Sequence, residues 1–450
     1  MLPYLQRISS RILENELLRR ILTNASYLLS ATGLAAGMSV FQSILAGRLL
    51  GPANFGVLGA ITQFTSVVNR FASFRMNELV VRYVGKYQEE GDQDRAAAVF
   101  KMASFLEFGG SILALILIWV LAPLGAHFFA QDSSLAFWFQ IYGFIILANV
   151  MFETASGLLQ ILDRFRIMAV ATAAQSAITL TLIVIIFFVK AGLTEVIVAY
   201  MIGKYVYSLS VTIASLVEAR RAWGAGWWRT PLSILKEERR NLLTFAFSTN
   251  LSSTVSLVAK DSEVLWVSAF LGPVQAGYYK TALAITNLLQ LPVSPLPKAT
   301  FPELAREIAR RNWDNVRYVL RQGSRLSAIY SVPVTLVLII FGKWLIGVTY
   351  GPEYLPTYSA LVILLVGYTF VNIFYWNRVA LLSLGRAVFP TIINFTGMVL
   401  KVAAIFLLVP HYGYLAFAAL LVGYYFFTVG AAAIRVFLDV RSQTQVEVTK

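Results

Sequence analysis

Hydrophobic runs of around 20 residues recur along this chain from Leu28 to Phe437, and a run of that length lets a helix cross roughly 30 Å of hydrocarbon. Inside a bilayer, backbone amides find partners only within a helix or around a closed barrel. Barrel strands are shorter and strictly alternating, so the pattern predicts helices. Composition points the same way. The chain is 58% hydrophobic and 13% charged, whereas about a quarter of a soluble domain is charged.

Spans are predicted near residues 23–47, 55–78, 101–124, 136–160, 168–190 and 195–218, and again near 243–270, 276–298, 325–349, 357–384, 388–409 and 413–436. Ahead of the first, residues 1–22 mix Leu5, Ile8 and Ile12 with Arg7, Arg11, Arg19 and Arg20. That pattern suits an interfacial amphipathic helix on the cytoplasmic face better than a cleaved signal.

The net charge of +14 does not imply nucleic acid, because the positive residues fall in alternate loops. One set holds Arg82 to Lys101, Arg164, Arg166, Arg220 to Arg240, Lys298 to Arg325, Arg386 and the tail; the other offers only Arg48, Lys190 and Lys343. Basic loops stay on the cytoplasmic side. Both termini are therefore expected in the cytoplasm, with an even number of spans in the cytoplasmic membrane. The chain has no Cys, which excludes disulfides, thiolate metal sites and a cysteine nucleophile. His127 and His411 are too far apart in sequence to form a metal motif.

The sequence also repeats. Leu50-Gly51-Pro52 with Gly56 returns as Leu271-Gly272-Pro273 with Gly277, 221 residues later (272 − 51). Each copy closes one span and opens the next, with Gly-Pro supplying the turn. An even number of spans per repeat gives two parallel six-helix bundles about a pseudo-twofold axis along the membrane normal. The expected organisation is a bundle over 23–219, a basic linker over 220–242, a second bundle over 243–437 and a cytoplasmic tail over 438–450. Each bundle also carries a cytoplasmic helical extension, near residues 80–100 and 302–321. The latter mixes Leu304, Ile308, Val316 and Leu320 with Arg306, Arg310, Arg311 and Arg317, as a helix resting on anionic headgroups would.

Ionisable side chains at membrane depth face a cavity or a partner. Arg70, Lys204, Lys260, Arg378 and Lys401 fall within predicted spans and are the candidate substrate-binding cations. Arg75, Glu78 and Lys280 lie near span ends and are expected to snorkel to the interface. Thr249, Ser252, Ser256, Lys260 and Glu263 share one helical face, a polar stripe suited to lining water. Asp261 beside Lys260 either neutralises that lysine or another cation, or takes part in transport. A cavity with surplus positive charge suits an anion, a phosphate above all. Pro292, Pro295 and Pro297 crowd the end of the eighth predicted span, where a kinked or broken helix end is expected; it serves either as a gate hinge or as a plain helix terminus.

The chain resembles the polysaccharide transporter, or oligosaccharide flippase, family of the multidrug/oligosaccharidyl-lipid/polysaccharide exporter superfamily. The resemblance rests on Arg48-Leu49-Leu50-Gly51-Pro52-Ala53-Asn54-Phe55-Gly56, on Asp261 ahead of Phe270-Leu271-Gly272-Pro273-Val274-Gln275-Ala276-Gly277-Tyr278-Tyr279, on Lys280-Thr281-Ala282 and on Phe301-Pro302-Glu303-Leu304. It implies alternating-access transport of a lipid-linked diphosphate oligosaccharide, with the five cations holding substrate and polysaccharide synthesis enzymes as further partners. Asp261, with Glu263 beside it, is the ion-coupling candidate for H+ or Na+; no other cofactor is expected. A multidrug exporter of the same superfamily would more naturally carry surplus acidic charge. A membrane glycosyltransferase or polymerase would need larger outward loops, and no HExxH, GxSxG or phosphate-binding GxxxxGK[ST] motif appears.

Overall fold

The computed structural model describes the backbone of residues 16–72, 76–238, 240, 242, 254–386 and 388–448, and the side chains of these except 16–30, 298, 302 and 444–448. Residues 1–15 of the predicted N-terminal helix, Arg75, Thr249 and Ser252 lie outside the described residues.

Among the described residues the fold is all helical. In chain order the elements are α1 (Glu16–Ala72), α2 (Met76–Glu89), α3 (Gln93–Gly125), the segmented α4 (Ser133–Ile161), α5 (Phe165–Val189) and α6 (Leu193–Trp223). There follow α7 (Glu263–Leu271), α8 (Pro273–Gln290), α9 (Leu296–Ala309), α10 (Trp313–Thr349), the segmented α11 (Thr357–Ser383), α12 (Val388–Tyr412) and α13 (Tyr414–Val448). Nine of the described helices, α1, α3 to α6 and α10 to α13, are long and apolar enough to cross a membrane. Their outer faces carry large exposed apolar side chains, among them Phe188, Ile329 and Leu407, a coat that water would not tolerate and lipid does.

The backbone repeats itself turn for turn. α1 breaks at Gly51 (φ 67°, ψ 171°), and α7 gives way to α8 at Gly272 (φ 88°, ψ 173°). Glycine is suited to such a positive φ, and the following Pro52 or Pro273 starts the next helix with its ring already at a helical φ. Among the described residues, every other left-handed position except Gly224, which lies in the expected linker, pairs at almost the same offset: Gly91 with Arg311, Gln131 with Gly351, Asp163 with Gly385, and Lys190 with Gly413. Even the caps correspond, since Asp92 accepts from the Arg95 amide and Asn312 from the Asn315 amide. Chain reversals thus recur in the same order in both halves, although few of the residues making them are identical.

Each predicted extension is broken: α2 ends at Glu89 before α3 starts at Gln93, and α9 ends at Ala309 before α10 starts at Trp313, so Val316, Arg317 and Leu320 belong to α10. α2 buries Met76, Leu79, Val80, Val84 and Tyr87, and Glu78 opens it in its first turn. The proline segment is a break rather than a kink: α8 ends at Gln290, residues 291–295 form a turn, and Pro297 sits in the first turn of α9.

The halves meet tightly at the Gly-Pro end. A Cβ on Gly56 would collide with the Pro273 carbonyl, and one on Gly277 with the Pro52 carbonyl. These reciprocal contacts explain why both motif glycines lack a side chain. Tyr354 donates to the Gly47 carbonyl (2.8 Å), the Ser43 and Tyr350 hydroxyls lie 3.0 Å apart, and Arg48 donates to the Val348 carbonyl (3.3 Å). Every substantial interface between the halves has either α1 or the turn Ala126–Ala130 on its first-half side.

Candidate functional site: a cationic cavity beside the seam

Lys260 lies on a π-turn, Leu257–Asp261, which ends at Ser262 with a non-helical φ of −108°. The additional residue in this turn rotates everything beyond it relative to a regular helix. Ser256 and Lys260 therefore face a polar cavity of about 190 Å³ in the second half, while Glu263 leaves the predicted stripe and turns into the protein. Arg378 enters the same cavity from α11, just beyond the break at residues 374–376, and Asn377, Asn394, Tyr424 and Thr428 complete its polar wall. Among the described residues neither Lys260 nor Arg378 has a carboxylate within ion-pairing distance. Two such cations in one polar cavity carry charge-assisted donors of the kind an anion would accept.

The five candidate cations are not gathered in one place. Arg70, on the second arm of α1, pairs across the seam with Asp261 (2.6 Å), at side-chain exposures of 38% and 36%. Asp261 is thus paired with Arg70, not with Lys260, and Gln63 donates to its backbone carbonyl as well. Lys401 is buried, ion-paired with Glu263, and donates to the Ala259 carbonyl (2.6 Å); Glu263 in turn accepts from Tyr279 (2.8 Å). With exposures of 3% and 1%, Lys401 and Glu263 satisfy one another and point away from the cavity. Lys204 stays in the first half, with its ammonium 5.5 Å from the Phe152 ring and 5.4 Å from that of Tyr207.

Lys280 departs from its expected snorkelling. Its ammonium donates to the Phe55 carbonyl (3.3 Å) and lies 3.9 Å from the Phe55 ring centroid, inside a cavity of about 270 Å³ between the halves. Its stem packs against Gly59, its own repeat counterpart by the 221-residue offset. The glycine leaves room for the lysine where the pseudo-symmetric faces meet. Thr62, Gln63, Ser66 and Arg70 continue this polar face along α1 toward Asp261. The offset between Gly59 and Lys280 was available in the sequence, whereas their contact depends on the packing of α1 on α8. Glu107 caps a helix: it accepts from the Glu153 and Thr154 amides (2.7 and 2.9 Å) where α4 restarts.

A family model described as polysaccharide biosynthesis protein matches residues 21–308, and one described as MatE matches residues 252–407. The chain belongs to the polysaccharide biosynthesis protein family. It is therefore a membrane transporter of the superfamily that also includes the MATE exporters, and not an enzyme. Among curated proteins it is similar to the inner membrane protein YghQ of Escherichia coli (strain K12), 23% identical over 76% of this chain and 96% of that one. The fold is shared with the inward-facing conformation of a multidrug resistance MATE family transporter (TM-score 0.74, 15% identity, 91% of this chain and 95% of the other). It is also shared with the lipid II flippase MurJ in an inward closed conformation (TM-score 0.68, 14% identity, 94% and 92%).

Proposed function

We propose that this transporter flips a lipid-linked oligosaccharide, carried on a diphosphate, across the cytoplasmic membrane by alternating access. The observation that carries this reading is the pair Lys260 and Arg378, cations without an acidic partner among the described residues, which share one polar cavity. A diphosphate brings several acceptor oxygens to such a pair, whereas a cationic drug would meet the wrong sign. The proposal includes twelve spans in two parallel six-helix bundles, joined by the basic segment 220–242. The break at Gly51 makes two spans of α1, and α7 and α8 contribute the remaining two beyond the nine long helices. It also places the basic end and both termini in the cytoplasm, with the tightly packed Gly-Pro end on the opposite side. Arg70, at the seam, and Lys204, on its aromatic rings, are proposed to meet the substrate as the halves move. Asp261 is the proposed coupling group for H+ or Na+, and Pro292, Pro295 and Pro297 the proposed hinge of the cytoplasmic gate.

The test is flipping in proteoliposomes with a lipid-linked diphosphate oligosaccharide and an otherwise identical lipid lacking the diphosphate. Lys260→Ala and Arg378→Ala are expected to weaken capture of the diphosphate lipid about tenfold or more each, in line with the loss of a charge-assisted contact, and to leave the uncharged lipid unchanged. Equal losses for both lipids would remove the cavity from the substrate path.

A further inference from the structure

A second cavity of the second half, of about 750 Å³, lies apart from the candidate transport site, at the basic end between α10, α11 and α13. Arg317, Arg321 and Arg325 stand one helical turn apart on α10, and Arg441 faces them from α13. Arg317 has a long contact with Asp314 (3.4 Å). Among the described residues no carboxylate pairs with Arg321, Arg325 or Arg441. The acid nearest Arg441 along α13, Asp439, is already engaged by Arg386 and Arg435 (3.2 Å each).

Apart from Ser324, the rest of the lining is apolar, formed by Leu320, Ala328, Ile373, Phe374, Phe437 and Val440. Beyond this level α10 becomes a lipid-facing helix, with Leu326 60% and Ile329 73% exposed. The cavity therefore straddles the boundary where headgroups give way to acyl chains. Guanidinium groups above apolar walls match one occupant at both levels: phosphate for the fork donors, hydrocarbon for the floor.

We infer that this groove binds an anionic phospholipid of the surrounding bilayer, with its phosphate among Arg321, Arg325 and Arg441 and an acyl chain along Phe374 and Phe437. A free phosphate would use the arginines but leave the apolar floor unmatched. A zwitterionic lipid would use the floor but bring no net negative charge.

The experiment is native mass spectrometry of the purified full chain titrated with phosphatidylglycerol or phosphatidylcholine of the same acyl chains, with thermal unfolding as the check on folding. The parent protein is expected to retain phosphatidylglycerol preferentially. The triple variant Arg321→Gln/Arg325→Gln/Arg441→Gln is expected to bind it on the order of a hundredfold more weakly, and Arg325→Gln alone about fivefold, following the usual contribution of each basic residue to anionic-lipid binding. If the triple variant fails to fold, the single variant carries the test. Lys343→Gln, exposed on α10 at its opposite end, should leave binding unchanged. The inference is overturned if the groove variants bind phosphatidylglycerol like the parent, or if Lys343→Gln loses as much. It is equally overturned if inorganic phosphate displaces the lipid at comparable concentration, which would make this a free-anion site. No transport substrate is involved, so failure of the flippase reading would leave this result standing.

Discussion

Lys401 and Lys260 lie on the same bundle with the same charge, yet Lys401 is 3% exposed and closed by Glu263, while Lys260 faces a cavity with no acidic partner among the described residues. Replacing Lys401 by Met would leave the Glu263 carboxylate buried without its cation. Removing one partner of a buried pair costs about 3–5 kcal/mol, so Lys401→Met should lower thermal stability in detergent sharply. Glu263→Gln/Lys401→Met should recover most of the loss, because no buried charge then remains. Lys260→Met breaks no ion pair and should cost less than about 1 kcal/mol, with its effect appearing in capture of the diphosphate lipid. If Lys260→Met unfolds the protein as readily as Lys401→Met, both lysines are structural and the cavity loses its role.

Gly-Pro turns at Gly51 and Gly272 could be read as a repeat because a left-handed turn and a fixed helix start leave a visible pair of letters. The other paired turns, such as Gly91 with Arg311 or Lys190 with Gly413, were not legible, since the backbone geometry recurs while the side chains differ. Helix positions were legible from hydropathy. The facing of the polar stripe was not, because the π-turn at Leu257–Asp261 sends Glu263 away from Ser256 and Lys260, and strict helical periodicity has no means of marking it. The reciprocal contact of Gly56 and Gly277 can be tested directly. A methyl group on either glycine must push the opposing Pro273 or Pro52 carbonyl away, and overpacking of this kind costs about 1–3 kcal/mol. Because the chain has no native cysteine, Ser43→Cys provides a clean reporter inside the seal. Gly56→Ala and Gly277→Ala are each expected to raise its labelling by a membrane-impermeant thiol reagent about tenfold, while Gly85→Ala, with open space around it, should not. Unchanged labelling in both seam variants would mean that the seal does not depend on this contact.

At the scale of the whole molecule, the halves are joined at the Gly-Pro end, with Arg70 and Asp261 spanning the seam farther along α1. Arg70 belongs to the first half and Asp261 to the second, so a swing of one bundle against the other must stretch or break this pair. Both side chains are more than a third exposed, which allows a phosphate to compete for Arg70 and a proton or small cation to compete for Asp261. Once a diphosphate takes Arg70, Asp261 loses its neutralising partner and takes up a cation more readily. By reciprocity, a cation on Asp261 releases Arg70 for the diphosphate. Lys260 adjoins Asp261 in sequence but faces the neighbouring cavity, so substrate can engage Lys260 and Arg378 without first breaking the seam pair. On the proposed function, coupling would reside in Arg70 and Asp261, and retention of substrate in Lys260 and Arg378. Asp261→Asn should preserve folding and most substrate capture while removing the response of flipping to an imposed proton or sodium gradient. Arg70→Gln should weaken that response and capture of the diphosphate lipid together. The deciding measurement is the flipping rate in proteoliposomes with and without each gradient, for the parent and both variants. If Asp261→Asn accelerates under a gradient as the parent does, the pair is only a structural tie between the bundles and the coupling ion must act elsewhere.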